Sequence, residues 1–300
     1  MIKGLRLKFS IIISTFNRSY ALKKAIESVL SQSYQNFEII ISDDASADNT
    51  KELVASFNDN KITYICNIKN SGLSMTRNAA LKIVKGEYII LMDDDSMLEN
   101  NFLEVLGRLI EQKKANIFCP KILDPDTRKP FLDIFSNQKE KYLGYFDFNY
   151  FIGLAHIVSK RMVDECGFYD DKFGVGARFF AAEESDYFFR LKKIGERILY
   201  SPDLTVYHRR QDEVPELKAY RYSYGIAAML TKQIICDKRH FLFYLWLLSK
   251  RLTISFLRTV QYAVIPKTIE SKNRMYRYKQ FFYGSLTGAV DYLKEGCILK

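Results

Sequence analysis

Neither Gly-x-Gly-x-x-Gly nor Gly-x-x-x-x-Gly-Lys-Ser/Thr occurs in these 300 residues, so the two commonest glycine-rich phosphate cradles are missing. Any phosphate site in this chain would have to be built on another device. Cysteine is scarce and poorly placed for cross-linking. The five (Cys66, Cys119, Cys166, Cys236, Cys297) are an odd number, widely spaced, with no Cys-x-x-Cys pair. That argues against a disulfide framework or structural zinc and fits a reducing cytosol. There is no low-complexity tract and no internal repeat. Long apolar runs are missing too. Lys3, Arg6 and Lys8 precede only the short stretch Phe9–Ile13, too little for a secretory signal. The run Phe241–Leu248 falls well short of the roughly 20 residues that span a bilayer.

What is present is an ordinary globular composition with an uneven charge. Residues 1–208 hold 28 Lys/Arg against 28 Asp/Glu, whereas residues 209–300 hold 17 against 7. The whole surplus of +10 therefore sits in the last third. The change near residue 210 marks a domain boundary. A basic tail meets nucleic acid, acidic lipid or another anionic partner. No RNA- or DNA-binding motif accompanies this one, which disfavours nucleic acid.

The first hundred residues alternate strand and helix patterns. Lys8–Ser14, Phe37–Ser42, Lys61–Cys66 and Glu87–Met92 are short, β-branched or apolar runs read as strands. Between them, Ala21–Ser31, Ala47–Phe57 and Leu73–Val84 have helical spacing. Near-continuous apolar strands separated by helices predict an α/β fold with a mainly parallel central sheet covered on both faces.

Three of those strands end in polar clusters: Ser14-Thr15-Phe16-Asn17, Asp43-Asp44 and Asp93-Asp94-Asp95. Open parallel sheets bind ligands outside the carboxyl ends of their strands. Three clusters on one edge therefore carry more weight than any single cluster. Adjacent carboxylates repel, and holding three at a strand end costs free energy unless a cation neutralises them. Hard oxygen donors suit Mg²⁺ or Mn²⁺. The plain alternative is a solvated acidic turn, but position after EYIILM and before a helix starting near Leu98 favours the site. Asp43-Asp44, taken alone, reads as a cap on the following helix.

The ordered set STFNR, ISDDASADNT, SGLSMTRNAAL and GEYIILMDDDS resembles the family 2 glycosyltransferases of GT-A fold, a Rossmann-like architecture. The later FGVGARFFAAEESDYFFRLKKIGERILYSPDLTVYH resembles the family's acidic catalytic segment and the strand after it. The match covers roughly residues 8–210. The resemblance implies that Ser14, Thr15, Phe16 and Asn17 frame the base pocket, with Phe16 against the pyrimidine. It implies that Asp44 accepts the ring N3–H with Arg77 nearby. Asp94 would approach the ribose, Asp95 would coordinate the metal bridging the diphosphate, and Asp93 would complete the DxD pattern.

Inverting sugar transfer needs a carboxylate to take the acceptor's proton. Ala181–Ile194 reads as a helix with Glu183, Glu184 and Asp186 in its first turn, where acids also simply favour the helix dipole. The resemblance selects Glu184 as the base, although many relatives have Asp there. His208, ending the strand-like Leu204–Tyr207, is either a metal ligand or a structural histidine. His156 lies on the family's acceptor side, and the sequence leaves contact and packing equally open.

These readings give a GT-A domain over 1–210, with a donor-nucleotide half at about 1–120 and an acceptor half at about 121–210. A basic, aromatic-rich helical extension over 211–300 follows. That extension is either an interfacial helix at an anionic membrane surface or a layer packed on the catalytic domain. The resemblance implies an inverting, Mg²⁺- or Mn²⁺-assisted transfer from a UDP- or dTDP-sugar to a hydroxyl of a glycan or lipid-linked acceptor. Bacterial surface-polysaccharide assembly in the cytoplasm, at the inner membrane face, is the implied setting, with a homo-oligomer left open. A metal-dependent nucleotidyltransferase and a non-catalytic nucleotide-sugar-binding module are the rival classes.

Overall fold

A computed structural model describes residues 7–113, 115–209, 216–264 and 269–298. The chain divides into two compact units. One takes the described residues up to Tyr169 and from Tyr187 to 209; the other takes Asp170–Asp186 and the described residues from 216 onward.

The first unit is built on apolar runs that leave the chain little choice but to bury them. Strands β1 (Phe9–Thr15) and β2 (Phe37–Asp43) are buried at every position. With β3 (Ile62–Cys66) and β4 (Tyr88–Asp93) they form a parallel sheet in the order β3-β2-β1-β4. The connecting helices are α1 (Ser19–Leu30), α2 (Thr50–Ser56) and α3 (Leu73–Leu81). Leu22, Ala25, Ile26 and Val29 of α1 are buried at three-to-four spacing, each large side chain contributing roughly 1.5–3 kcal/mol on leaving water.

Beyond β4 the pattern changes. The residues after the acid triplet form a short strand, β5 (Ser96–Leu98), where a helix start near Leu98 is expected from sequence. Helix α4 (Phe102–Lys113) begins four residues later. Its buried face of Phe102, Leu103, Leu106 and Ile110 sets the start, while Leu98 is held by pairing with Val206. Then follow β6 (Ile117–Leu123), β7 (Lys141–Tyr142), β8 (Ala155–Ser159), α5 (Lys160–Cys166), α6 (Glu183–Lys193) and β9 (Ile198–His208). The sheet continues β4-β8-β6-β9-β5. Strand β8 runs antiparallel to both β4 and β6, while β6 and β9 are parallel. The expected α/β architecture with a mostly parallel sheet is present, with β8 as an antiparallel insertion.

The second unit contains α7 (Glu216–Cys236), α8 (Phe241–Val264) and α9 (Ile269–Ile298). Helices α7 and α9 approach so closely that a Cβ at Gly288 would lie 2.1 Å from the Tyr224 carbonyl oxygen, and one at Gly284 2.5 Å from that of Tyr220. Small residues at this four-residue spacing let the two backbones meet. Among the described residues, no helix is long and apolar enough to cross a membrane.

Candidate active site

The parallel pairing aligns the polar strand ends. Ser14 of β1 sits opposite Ser42 of β2 and Asp93 of β4, and Thr15 opposite Asp43. Beyond β1 the chain turns through Asn17, whose positive φ of 53° suits asparagine better than most side chains. The Asn17 side chain accepts from the Ala47 amide at 2.7 Å, and the Asn17 backbone N–H donates to Ser46 Oγ at 2.8 Å. The loops after β1 and β2 are thereby stitched together, leaving Phe16 at 41% exposure beside them. Ser14 Oγ is buried without a hydrogen-bond partner.

Asp43 and Asp44 divide their labour. Asp43 accepts from the Ser46 amide at 2.9 Å and from the Tyr64 hydroxyl at 2.6 Å. Asp44 accepts from Asn67 Nδ2, the Ser71 amide and the Gly72 amide at 2.7–2.8 Å. Neither caps α2, as the isolated Asp-Asp pair suggests; the Thr50 amide bonds Asp48 instead. Asp44 ties down the entry to α3, whose N-cap is Gly72 at a φ of 87°.

Helix α3 carries Arg77, buried to 1% exposure beneath the acid triplet. Its guanidinium donates to Asp93 at 3.0 Å and lies over the Tyr169 ring at 5.6 Å. Asp94, 3% exposed, accepts from the Thr15 hydroxyl at 2.8 Å and pairs with Arg18 Nη1 at 2.9 Å. Burial is the largest influence on Asp94 and pushes its pKa up to about 7, against the opposing pull of Arg18 and Thr15. Asp95 is held from both sides, by Arg18 Nη2 at 2.5 Å on one oxygen and His208 Nε2 at 3.1 Å on the other. Burial alone would raise Asp95, but His208 and then Arg18 outweigh it and hold it well below the usual carboxylate range.

His208 reaches Asp95 because β5 pairs antiparallel with β9, setting Ser96 opposite His208. The imidazole packs edge-on against Phe131 at 5.0 Å, and its Nδ1 is buried without a partner. One carboxylate and one imidazole at contact distance are a mixed donor set that suits Mn²⁺ better than Mg²⁺, which prefers oxygen alone. Among the described residues there is no cluster of three or more His, Cys, Asp or Glu side chains suited to a metal. Asp95 and His208 supply two of the positions such an ion needs.

The acidic segment belongs to the second unit. Phe180 and Ala182 adopt positive φ values of 60° and 77°, rare for residues with a Cβ, directly before α6. Strained backbone of this kind gathers at functional segments. In the first turn of α6, Glu183 is buried, Glu184 half-buried and Asp186 fully buried. Asp186 accepts from Lys232 at 2.7 Å and Gln233 at 2.9 Å, and Lys232 also pairs with Asp170 at 2.7 Å.

His156, left open between acceptor contact and packing, is fully buried. Its Nε2 lies 2.5 Å from the Tyr169 hydroxyl, and its ring packs at a tilt against Phe151 at 4.4 Å. The structure also adds Arg18, which the sequence reading passes over. A basic residue closing the polar turn after β1 was the available signal.

The family model for glycosyl transferase family 2 matches residues 10–161, half of the chain, including every acid on the sheet edge. The chain belongs to that family. A family relative from Escherichia coli, the UDP-Glc:alpha-D-GlcNAc-diphosphoundecaprenol beta-1,3-glucosyltransferase WfaP, is 44% identical over 86 residues, 29% of this chain and 34% of that protein. The matched stretch spans about a third or less of the length of the curated relatives. Among solved structures, S. aureus TarS 1–349 in complex with UDP-GlcNAc superposes with a TM-score of 0.64 at 14% identity, covering 96% of this chain and 92% of that one. The mannosyltransferase PcManGT from Pyrobaculum calidifontis, in complex with GDP-Man and Mn²⁺, gives 0.67 at 14% identity, covering 97% and 88%. At such identities the likeness is one of fold, and both folds are those of sugar transferases of the GT-A type.

Proposed function

We propose that this family 2 member is an inverting glycosyltransferase that moves a sugar from a UDP- or dTDP-sugar to a hydroxyl of a glycan or lipid-linked acceptor. The observation that carries this reading is the pairing of Asp95 with His208 at 3.1 Å at the carboxyl edge of the sheet. WfaP, whose name specifies UDP-Glc and a diphosphoundecaprenol-linked acceptor, supports the donor and acceptor classes. The Mn²⁺ in the PcManGT complex supports the metal.

In this reading residues 1–210 form the catalytic domain and 211–300 its extension. Ser14, Thr15, Phe16 and Asn17 line the base pocket. Asp44 presents a carboxylate oxygen to the pyrimidine N3–H while its loop bonds hold it in place. Arg77 fixes Asp93 from below, and Asp94 takes the ribose. Asp95 and His208 would hold Mn²⁺ or Mg²⁺, which when bound offsets the charge on the departing diphosphate. Glu184 removes the proton from the acceptor hydroxyl. Uracil and thymine offer the same N3–H edge, so both donors satisfy Asp44.

The exposed face of α8 supports work at a membrane surface. Leu242, Trp246, Leu257 and Val264 are 75%, 46%, 57% and 81% exposed on a helix from the strongly basic third of the chain. Attachment to the inner face of the cell membrane would bring the enzyme to lipid-linked acceptors.

A screen of nucleotide sugars against polyprenyl-diphosphate-linked sugars, read by nucleoside diphosphate release and product mass, tests the reading. Release of nucleoside diphosphate with a glycosylated product is expected. Release of pyrophosphate would make the protein a nucleotidyltransferase, and binding without turnover would make it a binding module.

A further inference from the structure

Arg18 occupies the position of a counter-ion. Its guanidinium forks across the acid triplet, Nη1 to Asp94 at 2.9 Å and Nη2 to Asp95 at 2.5 Å. The Asp95 oxygen it takes is the one His208 leaves, so both oxygens of that carboxylate are committed. The side chain itself is half-exposed, on the residue just before α1. Asp94 and Asp95 are by contrast anchored, by Thr15 and His208.

We propose that Arg18 is a built-in competitor of the divalent cation, which makes metal binding depend on the donor. The inference rests on the metal reading of Asp95 and His208 given above. A guanidinium and a divalent ion on one carboxylate repel, and they cannot both take the same oxygen at contact distance. Without donor, Arg18 offsets the charge of Asp94 and Asp95, and the ion gains less by entering. A nucleoside diphosphate changes the balance in two ways. Its oxygens complete the coordination that Asp95 and His208 begin, and its negative charge gives the displaced guanidinium a new partner. Arginine suits that exchange, since its fork matches carboxylate and phosphate alike. The ion and the diphosphate therefore bind with strong positive coupling, by linkage the same in both directions.

The test is Mn²⁺ binding, followed by electron paramagnetic resonance, with and without UDP, in the full chain and three variants. Arg18→Gln should bind Mn²⁺ alone about tenfold more tightly than the parent, the scale of one charge-assisted hydrogen bond no longer to be displaced. UDP should then improve its Mn²⁺ affinity by a smaller factor than in the parent. Arg18→Lys, which keeps the positive charge but loses the fork, should fall between the parent and Arg18→Gln. Unchanged or weaker Mn²⁺ binding in Arg18→Gln overturns the proposal, and so does a Lys variant that tightens as much as the Gln variant. Asp95→Asn separates the two readings. If it retains parental Mn²⁺ affinity with UDP present, the metal site itself is misplaced; if it loses that affinity while Arg18→Gln stays parental, only the role of Arg18 falls.

Discussion

Ser96 and His208 face each other across the antiparallel pair β5–β9, and that single register brings the His208 imidazole to 3.1 Å from Asp95. Ser96 and His208 are 112 positions apart in the chain, yet the pairing makes them neighbours. A short strand thus turns a run of acids into a mixed oxygen and nitrogen site.

Asp44 has two duties, and they are separable. Asp44→Ala should weaken UDP binding by roughly 1.5–3 kcal/mol through loss of a charge-assisted hydrogen bond. It should also lower thermal stability, because the Ser71 and Gly72 amides lose their acceptor. Calorimetry with UDP and a melting curve check both. A variant that melts early yet binds UDP as the parent does would reduce Asp44 to a loop anchor.

Glu184→Gln should retain donor binding while transfer falls by about 10²–10⁴-fold, since the amide keeps the shape but accepts no proton. Turnover and UDP affinity measured on the same preparation decide it. A variant with nearly full turnover would move the base to another acid.

The second unit contains a charge cluster whose pH response has a definite sign. Burial alone would raise the Asp170 pKa, but Lys232 outweighs it and holds the carboxyl below its usual 3.8. The stabilisation is therefore present above about pH 4 and is lost as pH falls through the depressed value. Lys232→Met removes the cation that Asp170 and the fully buried Asp186 share and should cost about 3–5 kcal/mol. Denaturant unfolding at pH 7 and pH 3 measures both effects. A Met variant as stable as the parent would show that the cluster contributes nothing.

The face of α8 should attach the protein to anionic vesicles, with partial release by salt. Lys250 lies 4.6 Å from the Trp246 ring, pairing charge with an interfacial aromatic. Each basic residue near such a surface contributes about 1 kcal/mol. Replacing Lys250 and Arg258 with Gln should weaken sedimentation with anionic liposomes and leave UDP affinity unchanged. Indifference to anionic liposomes at low salt would make the exposed apolar face a surface for a second subunit.

Much of the sheet was legible because β1, β2 and β4 are continuous apolar runs, and such runs have few alternatives to burial in a parallel sheet. Their polar ends followed from the same runs. The three-residue β5 was not legible, since Ser96–Leu98 is too short to show a period, and the helix expected there starts at Phe102. The direction of β8 was hidden as well, because apolar pattern carries no information on strand polarity. His156 gave no sign of its burial against Tyr169, which depends on a residue in a later loop. The role of Arg18 is not legible in the sequence, because its meaning lies in the distance to Asp94 and Asp95, which only the folded chain defines.

The role of Asp95 is tested most directly by calorimetric titration of UDP, with and without Mn²⁺, into the parent and Asp95→Ala. Metal-assisted donor binding predicts that Mn²⁺ strengthens UDP binding by the parent and has little effect on the variant, whose remaining affinity comes from the base pocket. Equal UDP affinity in parent and variant, with Mn²⁺ present, would contradict it.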